Sequence, residues 1–230
     1  MLPDGRFALS LASWQDASEM GRRLARRLVA TRPARAWKVI GPCAAVEGFQ
    51  DGWGDRSSAL DDQSDYTLRQ TLLRLRLPGS RKGDGGTPCA GHLRRARPSD
   101  APLLRSWMRA FDAETGAPSA HPPAEAWVAP AIAAGDAFIW ENEGGAPLGT
   151  ASIGGRSFRG GRIHLVYVER SARRAGVASA AVLALVGLIG TEGLAEATLF
   201  ADARAAGPLA LYVGLGFEAL CEFVEVTLSS

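Results

Sequence analysis

Lysine is almost missing from this 230-residue chain: only Lys38 and Lys82 occur. The basic charge is therefore nearly all arginine, and 26 basic against 24 acidic residues leave a net charge of +2. So small an excess argues against nucleic-acid binding as the main role, although a local basic face stays open. The lysine shortage itself reads as coding bias. Cysteine is scarce as well. Cys43, Cys89 and Cys221 lie far apart and form no C-x-x-C pair. That spacing speaks against a metal centre and a disulfide framework, and it suits reduced thiols in a cytosol. Long apolar runs are absent too. The longest, Val177–Gly190, is too short to span a bilayer and is rich in Ala and Gly, so a buried core helix is expected there. The N-terminus has no basic region followed by an apolar core, and no secretion signal is expected. No membrane association follows from any of this. With 47% hydrophobic and 22% charged residues, wholesale disorder is excluded and the chain can bury a sizeable core.

What is present centres on Ile163–Ala180, IHLVYVERSARRAGVASA. A continuous apolar strand (Ile163–Val168) runs through a basic, Gly-containing turn into an apolar helix. The turn, Arg173-Arg174-Ala175-Gly176-Val177-Ala178, has the form R-x-x-G-x-A. Such a turn points successive backbone N–H groups one way, and with the helix dipole they make an anion cradle. The spacing reads as a grip for a pyrophosphate.

Around that stretch the pattern is β-α-β-α-β over 7–77, then a linker, then β-α-α-β-β-β-α-β-α-β. The first part comprises a strand at 7–11, a helix from Ser13 to about Thr31, a strand at 36–41, a helix at 44–53 and a strand within 66–77. Arg22, Arg23, Arg26 and Arg27 fall off the apolar side of the first helix, as a solvated face or a surface for an anion. Residues 78–91, PGSRKGDGGTPCAG, are too rich in Gly and Pro to pack a core. Three segments follow: 1–77, the linker 78–91, and 92–230. In the last, strands are expected at 92–97, 137–141, 147–153, 163–168, 197–201 and 221–228. Helices are expected from Pro98 to about Asp112, over 124–134, from the cradle to about Glu192, and over 208–215. Loops are expected at 113–122 and 154–161.

The segment VYVERSARRAGVASAAVLAL resembles the acetyl-CoA-binding motif of the GNAT superfamily of N-acetyltransferases. Downstream, LFADARAAGPLALYVGLGF resembles that superfamily's fifth strand and fourth helix, ending in L-Y-x-x-L-G-F. The resemblance covers about 92–228. It implies an α/β (α+β) fold with a mixed sheet flanked by helices and splayed between its fourth and fifth strands, with acetyl-CoA, the acetyl donor, entering the gap. Residues 1–77 then read as a partial, degenerate GNAT-like half. Its turn near 12–18 lacks R-x-x-G-x-A, so one cofactor site is expected.

The resemblance also implies roles. Backbone groups of Val166, Tyr167 and Val168 would meet the pantetheine arm, and one N–H there would serve as oxyanion donor. Arg173, Arg174, Ala175, Gly176, Val177 and Ala178 would hold the phosphates. Tyr212 would protonate the leaving thiolate, the alternative being a packed tyrosine. His164 is a candidate base or a packed histidine, because Arg162 stands where some relatives carry a catalytic glutamate. Asp112, Glu114 and His121 are further candidates to line the acceptor site, and a water relay would need none of them. Asp202 either contacts a ligand or caps its own loop. The loop Ala203–Gly207 lacks an Asn that many relatives use. The expected activity is acetyl transfer to a primary amine of a small molecule or protein. A non-catalytic acyl-CoA- or partner-binding module is the alternative. Oligomeric state, a homodimer included, stays open.

Overall fold

The computed structural model describes residues 6–8, 16–29, 37–53, 68–77, 89–116 and 123–228. In chain order these form β1 (Arg6–Ala8), α1 (Ala17–Val29), β2 (Trp37–Pro42), α2 (Cys43–Trp53) and β3 (Leu68–Arg76). They continue as β4 (His92–Arg95), α3 (Ala101–Thr115), α4 (Ala124–Ala133), β5 (Ala137–Glu141) and β6 (Pro147–Arg156). The last elements are β7 (Gly160–Val168), α5 (Val177–Thr191), β8 (Glu196–Asp202), α6 (Ala206–Gly214) and β9 (Glu218–Leu228). Every strand and helix expected from the pattern is found, and the proposed linker lies outside the described residues from 78 to 88.

The chain divides into two compact units. The larger holds Leu73–Ala201 and Ala205–Ala219. Its strands run β4-β5-β6-β7-β8, antiparallel except for the parallel β7–β8 pair. β5 explains why helices flank this sheet on both faces. Its sequence AFIWE is apolar at successive positions, so a single covered face could not bury it. Phe138 and Trp140 enter a cluster with Val182, Leu185 and Ile189 of α5. Ala137 and Ile139 enter another with Leu104, Trp107 and Met108 of α3 and Val128 of α4. The apolar run Val177–Gly190 is thus a core helix. It lies so close to β7 that a Cβ on Gly161 would come within 2.8 Å of Ile189.

The smaller unit holds Met1–Leu72, Asp202–Arg204 and Leu220–Ser230. β1 runs parallel to β2, and β2 pairs antiparallel with β9 from Trp37↔Leu228 to Pro42↔Phe223. Ala25, Val46, Phe49 and Trp53 of α1 and α2 cover Val39, Val224 and Val226. Gly21 and Gly48 let the two helices touch, since a Cβ on either would collide with a carbonyl of the other helix. Arg23, Arg26 and Arg27 face solvent, with Glu19 paired to Arg23 at 2.8 Å.

α3 runs three residues beyond Asp112, where the pattern ended it. Gly116 supplies the stop, taking φ 63° and donating its N–H to Asp112 O. At the other end, Asp100 Oδ2 accepts the Arg97 N–H at 2.6 Å, and its carboxylate takes two bonds from Arg94 at 2.7 and 3.1 Å. The Arg94 bonds hold the Asp100 carboxyl below the usual carboxylate range despite partial burial. A depressed pKa stabilises the fold above the unfolded value of about 3.9, and that stability is lost as pH falls through the folded value. Asp100→Asn is therefore expected to cost about 1–2 kcal/mol at pH 7, with a smaller gap to wild type at about pH 3, below the unfolded value. Urea denaturation at the two pH values measures it.

Candidate active site

The strand β7 carries the site, and its register is irregular. Thr150 pairs with Tyr167 and Ser152 with His164, so Leu165 and Val166 stand opposite the single residue Ala151. This is a β-bulge, and Leu165 adopts φ 49° within it. A leucine in that region costs on the order of 1–2 kcal/mol. The bulge reverses the phase of the strand. Ahead of it Ile163 packs toward α5, and His164 meets Trp127 of α4 at 6.0 Å between ring centroids. Beyond it Leu165 and Tyr167 pack toward α3, while Val166 and Val168 pack toward α5. The strand expected over Ile163–Val168 is present within β7 and carries this bulge. A second irregularity places Gly154 of β6 opposite the step between Arg162 and Ile163. A Cβ there would come within 2.7 Å of the His164 Cβ, so only glycine leaves the histidine in place.

β7 and β8 pair only at Gly160↔Glu196, Gly161↔Ala197 and Arg162↔Thr198. Both strands continue, to Val168 and Asp202, yet among the described residues the ladder between them ends there. The sheet is splayed at that point, as the resemblance implied. The gap is flanked by Ile163, Val166 and Val168 on one strand and Leu199 and Ala201 on the other.

The splay leads to the turn. Arg170–Ala172 form a short 3-10 turn whose first N–H is accepted by Glu169 Oε1 at 3.2 Å. Arg173 is extended, Arg174 takes φ 67°, and Gly176 takes φ 82° as the N-cap of α5. Gly176 has no side chain to cap with, so the first-turn N–H groups of α5 have no such acceptor. Donors of this kind, at the positive end of a 15-residue helix, fit a pyrophosphate. Arg173, Arg174 and Ala175 are exposed around them. The Arg173 side chain turns away from the helix end. Its Nε donates to Val168 O at 3.0 Å, its Nη2 donates to Glu114 at 2.8 and 3.0 Å, and its guanidinium lies 5.5 Å from the Tyr167 ring centroid.

Tyr212 of α6 is 9% exposed and shares the α5-side cluster with Val177, Ala181, Leu199 and Ala201. Its ring meets Phe217 edge-on at 6.0 Å. Burial pushes its hydroxyl up to about 12, so the phenol stays protonated at neutral pH. Tyr212 and the residues flanking the splay therefore belong to one cluster. His164 does not join them; its ring is on the α4 side, half-buried.

The remaining candidates have definite places. Arg162 Nη2 donates to Gly154 O at 3.2 Å. Asp112 is half-buried on α3. Glu114 is engaged by Arg170 and Arg173. Partial burial pushes its carboxyl up, but the Arg170 and Arg173 hydrogen bonds outweigh that and hold it below the usual range. Asp202 Oδ1 accepts the Arg204 N–H at 2.9 Å and Nε at 3.3 Å, so it caps its own loop. His121 lies outside the described residues.

Two features had no expectation attached to them. The Leu165 bulge has no sequence signal, because nothing in a leucine announces a positive φ. Trp107 Nε1 donates to Glu169 Oε2 at 2.7 Å, tying α3 to the start of the turn across 62 positions. Among the described residues, no group of three or more His, Cys, Asp or Glu could hold a metal ion, and no helix is long and apolar enough to cross a membrane.

A splayed mixed sheet, with a glycine-capped helix start at the mouth of the splay, is the arrangement that the resemblance to acyl-CoA-dependent acyltransferases implied. The model of the acetyltransferase (GNAT) family matches residues 103–217, half of the chain, and the chain belongs to that family. The family implies acyl transfer from an acyl-CoA. No curated protein sequence matches. Among solved structures, one described as a putative GNAT-family acetyltransferase from Novosphingobium aromaticivorans is 15% identical with a TM-score of 0.54; the match covers 90% of this chain and 80% of that one. A GNAT-family acetyltransferase from Colwellia psychrerythraea is 12% identical with a TM-score of 0.59, covering 99% and 79%. A tandem GNAT protein from the clavulanic acid biosynthesis pathway is 15% identical with a TM-score of 0.57, covering 88% of this chain and 66% of that one. At these identities the likeness is one of fold.

Proposed function

We propose that the chain is an N-acetyltransferase that moves an acetyl group from acetyl-CoA to a primary amine, of a small molecule or a protein, by direct attack in a ternary complex. The observation that carries the reading is the splay between β7 and β8, which ends at the Gly176 turn and has Tyr212 in its lining cluster. The backbone N–H groups from Arg173 to Ala178 hold the pyrophosphate. Val166, Tyr167 and Val168, beyond the last β7–β8 pair at Arg162↔Thr198, offer backbone groups on the splayed edge to the pantetheine amides. One of these N–H groups faces the developing oxyanion. Holding both reactants in line contributes most to the rate, since orientation supplies on the order of 7–11 kcal/mol.

The proton inventory balances. The amine nitrogen bonds to the thioester carbon and the carbon–sulfur bond breaks. Tyr212 gives its phenolic proton to the sulfur, and His164, directly or through water, takes one from the amine. The two groups then exchange protons with solvent. Tyr212 lies on the α5 side of the sheet and His164 on the α4 side, which suits separate groups for the thiolate proton and the amine proton. For His164→Gln, the pH dependence of kcat/KM is expected to lose its acid limb. An unchanged profile would assign that proton to water.

Thermal shift with acetyl-CoA, followed by release of free thiol across a panel of amines, tests the whole reading. Stabilisation plus amine-dependent release is expected. Stabilisation without release for any amine would favour an acyl-CoA-binding module. No stabilisation at saturating ligand would contradict both. The 1–77 half is proposed as a degenerate GNAT-like segment without a cofactor site, and the protein as cytoplasmic, in keeping with its few, widely spaced cysteines.

A further inference from the structure

Glu114 is positioned by chemistry that the reaction scheme leaves unused. It sits on the last turn of α3, and both its oxygens are taken. Arg170 Nε donates to Oε1 at 3.0 Å, and Arg173 Nη2 donates to Oε1 at 3.0 Å and Oε2 at 2.8 Å. Arg173 is at the same time fixed to the end of β7, through Nε to Val168 O at 3.0 Å and by its face against Tyr167. A second tie, Trp107 to Glu169, joins α3 to the residue that opens the turn. Both ends of the segment 169–173 are thus anchored to one helix. Directly beyond the second anchor the backbone enters the two left-handed residues, Arg174 at φ 67° and Gly176 at φ 82°.

We infer that Glu114 is a positioning residue for the phosphate-binding turn, acting through Arg173 and Arg170 to fix the backbone N–H groups of 174–178 in their anion-binding arrangement. The inference rests on the proposed acyl-CoA site. It also assigns Glu114 differently from the sequence expectation, which placed it among acceptor-lining candidates. Glu114 contacts no reacting atom in this role.

Two physical effects make opposite predictions for Glu114→Gln. The substitution removes one negative charge beside a phosphate site, and long-range electrostatics alone would tighten binding of an anion. The loss of the charge-assisted anchor to Arg170 and Arg173 loosens the turn and weakens binding, because donors must be ordered again each time the ligand binds. The three short contacts to the carboxylate, at 2.8–3.0 Å, favour the second effect.

The test is equilibrium titration of the full chain with coenzyme A and, separately, with pantetheine, which lacks the pyrophosphate. For Glu114→Gln the coenzyme A Kd is expected to rise about five- to tenfold, with the pantetheine Kd held within about twofold. A merely structural defect would raise both. Arg173→Lys keeps the charge but cannot bond Val168 O and Glu114 through two separate nitrogens, and is expected to give the same shift. The double variant is expected to be no worse than either single one, since both break one link. A tighter or unchanged coenzyme A Kd in Glu114→Gln, equal losses for both ligands, or additive losses in the double variant would each overturn the inference. Failure of the wild type to bind coenzyme A would be a different result: it would remove the cosubstrate reading itself, and this inference with it.

Discussion

Gly176→Asp is expected to remove acyl-CoA binding while leaving the fold standing. Gly176 is the N-cap of α5 at φ 82°, a region where asparagine and aspartate are the least unwelcome replacements for glycine. Among the described residues, a new Cβ would meet the Cys89 Cβ at 3.6 Å, an ordinary contact. The conformational cost is about 1 kcal/mol, or a fall in Tm of roughly 2–4 °C for a chain of this size. An aspartate at an N-cap also accepts the first-turn N–H groups of its own helix. In this position it would occupy the donors proposed for pyrophosphate and add a repelling charge. Losing two charge-assisted hydrogen bonds of about 1.5–3 kcal/mol each raises Kd by roughly 10²–10⁴-fold. Titration calorimetry and a thermal melt separate the two effects. Binding retained within tenfold, in a folded variant, would move the phosphates elsewhere.

Tyr212→Phe is expected to lower kcat by roughly 10²–10⁴-fold, the usual range for loss of a general acid, with the acetyl-CoA Kd changed by less than about twofold. The variant keeps the ring, and with it the edge-on contact to Phe217 and the place beside Leu199 and Ala201. It removes only the hydroxyl. That hydroxyl is held up to about 12 by burial, well above the thiol reference of about 8.5, so the proton moves downhill from the phenol only where the nascent thiolate is itself desolvated. Rapid-quench measurement of the chemical step, with an amine identified from the panel, reads the effect without interference from product release. Unchanged turnover would leave Tyr212 a packing residue.

The parts of the fold that follow local rules were readable in advance. The start of α5 was marked by Gly176 and the end of α6 by Gly216, because a left-handed residue calls for glycine. The strand AFIWE was readable from its short apolar run. β6 ran three residues past the expected end at Ile153, because the strand continues through Gly154, Gly155 and Arg156 despite two glycines. The pairing of Gly155 with Arg162 and of Arg156 with Gly161 carries it on, which is a tertiary effect. The bulge at Leu165 was hidden for a different reason. An apolar run has no alternation to interrupt, so a reversal of phase leaves no trace in it. The ties from Trp107 and Glu114 to the turn join residues 62 and 59 positions apart, and no spacing rule reports such pairs. For the candidate site, the left-handed start of α5 in the R-x-x-G-x-A turn could be read from its glycine. The direction of the Arg173 side chain, toward Glu114 and Tyr167, could not.

The central claim is a single acyl-CoA site on the β7–α5 segment. Amide hydrogen exchange of the full chain, followed with and without acetyl-CoA, tests it most directly. Slowed exchange is expected at 166–168 and 174–179, with residues 12–18 unchanged. Protection at 12–18, or none at 174–179 under saturating ligand, would contradict it.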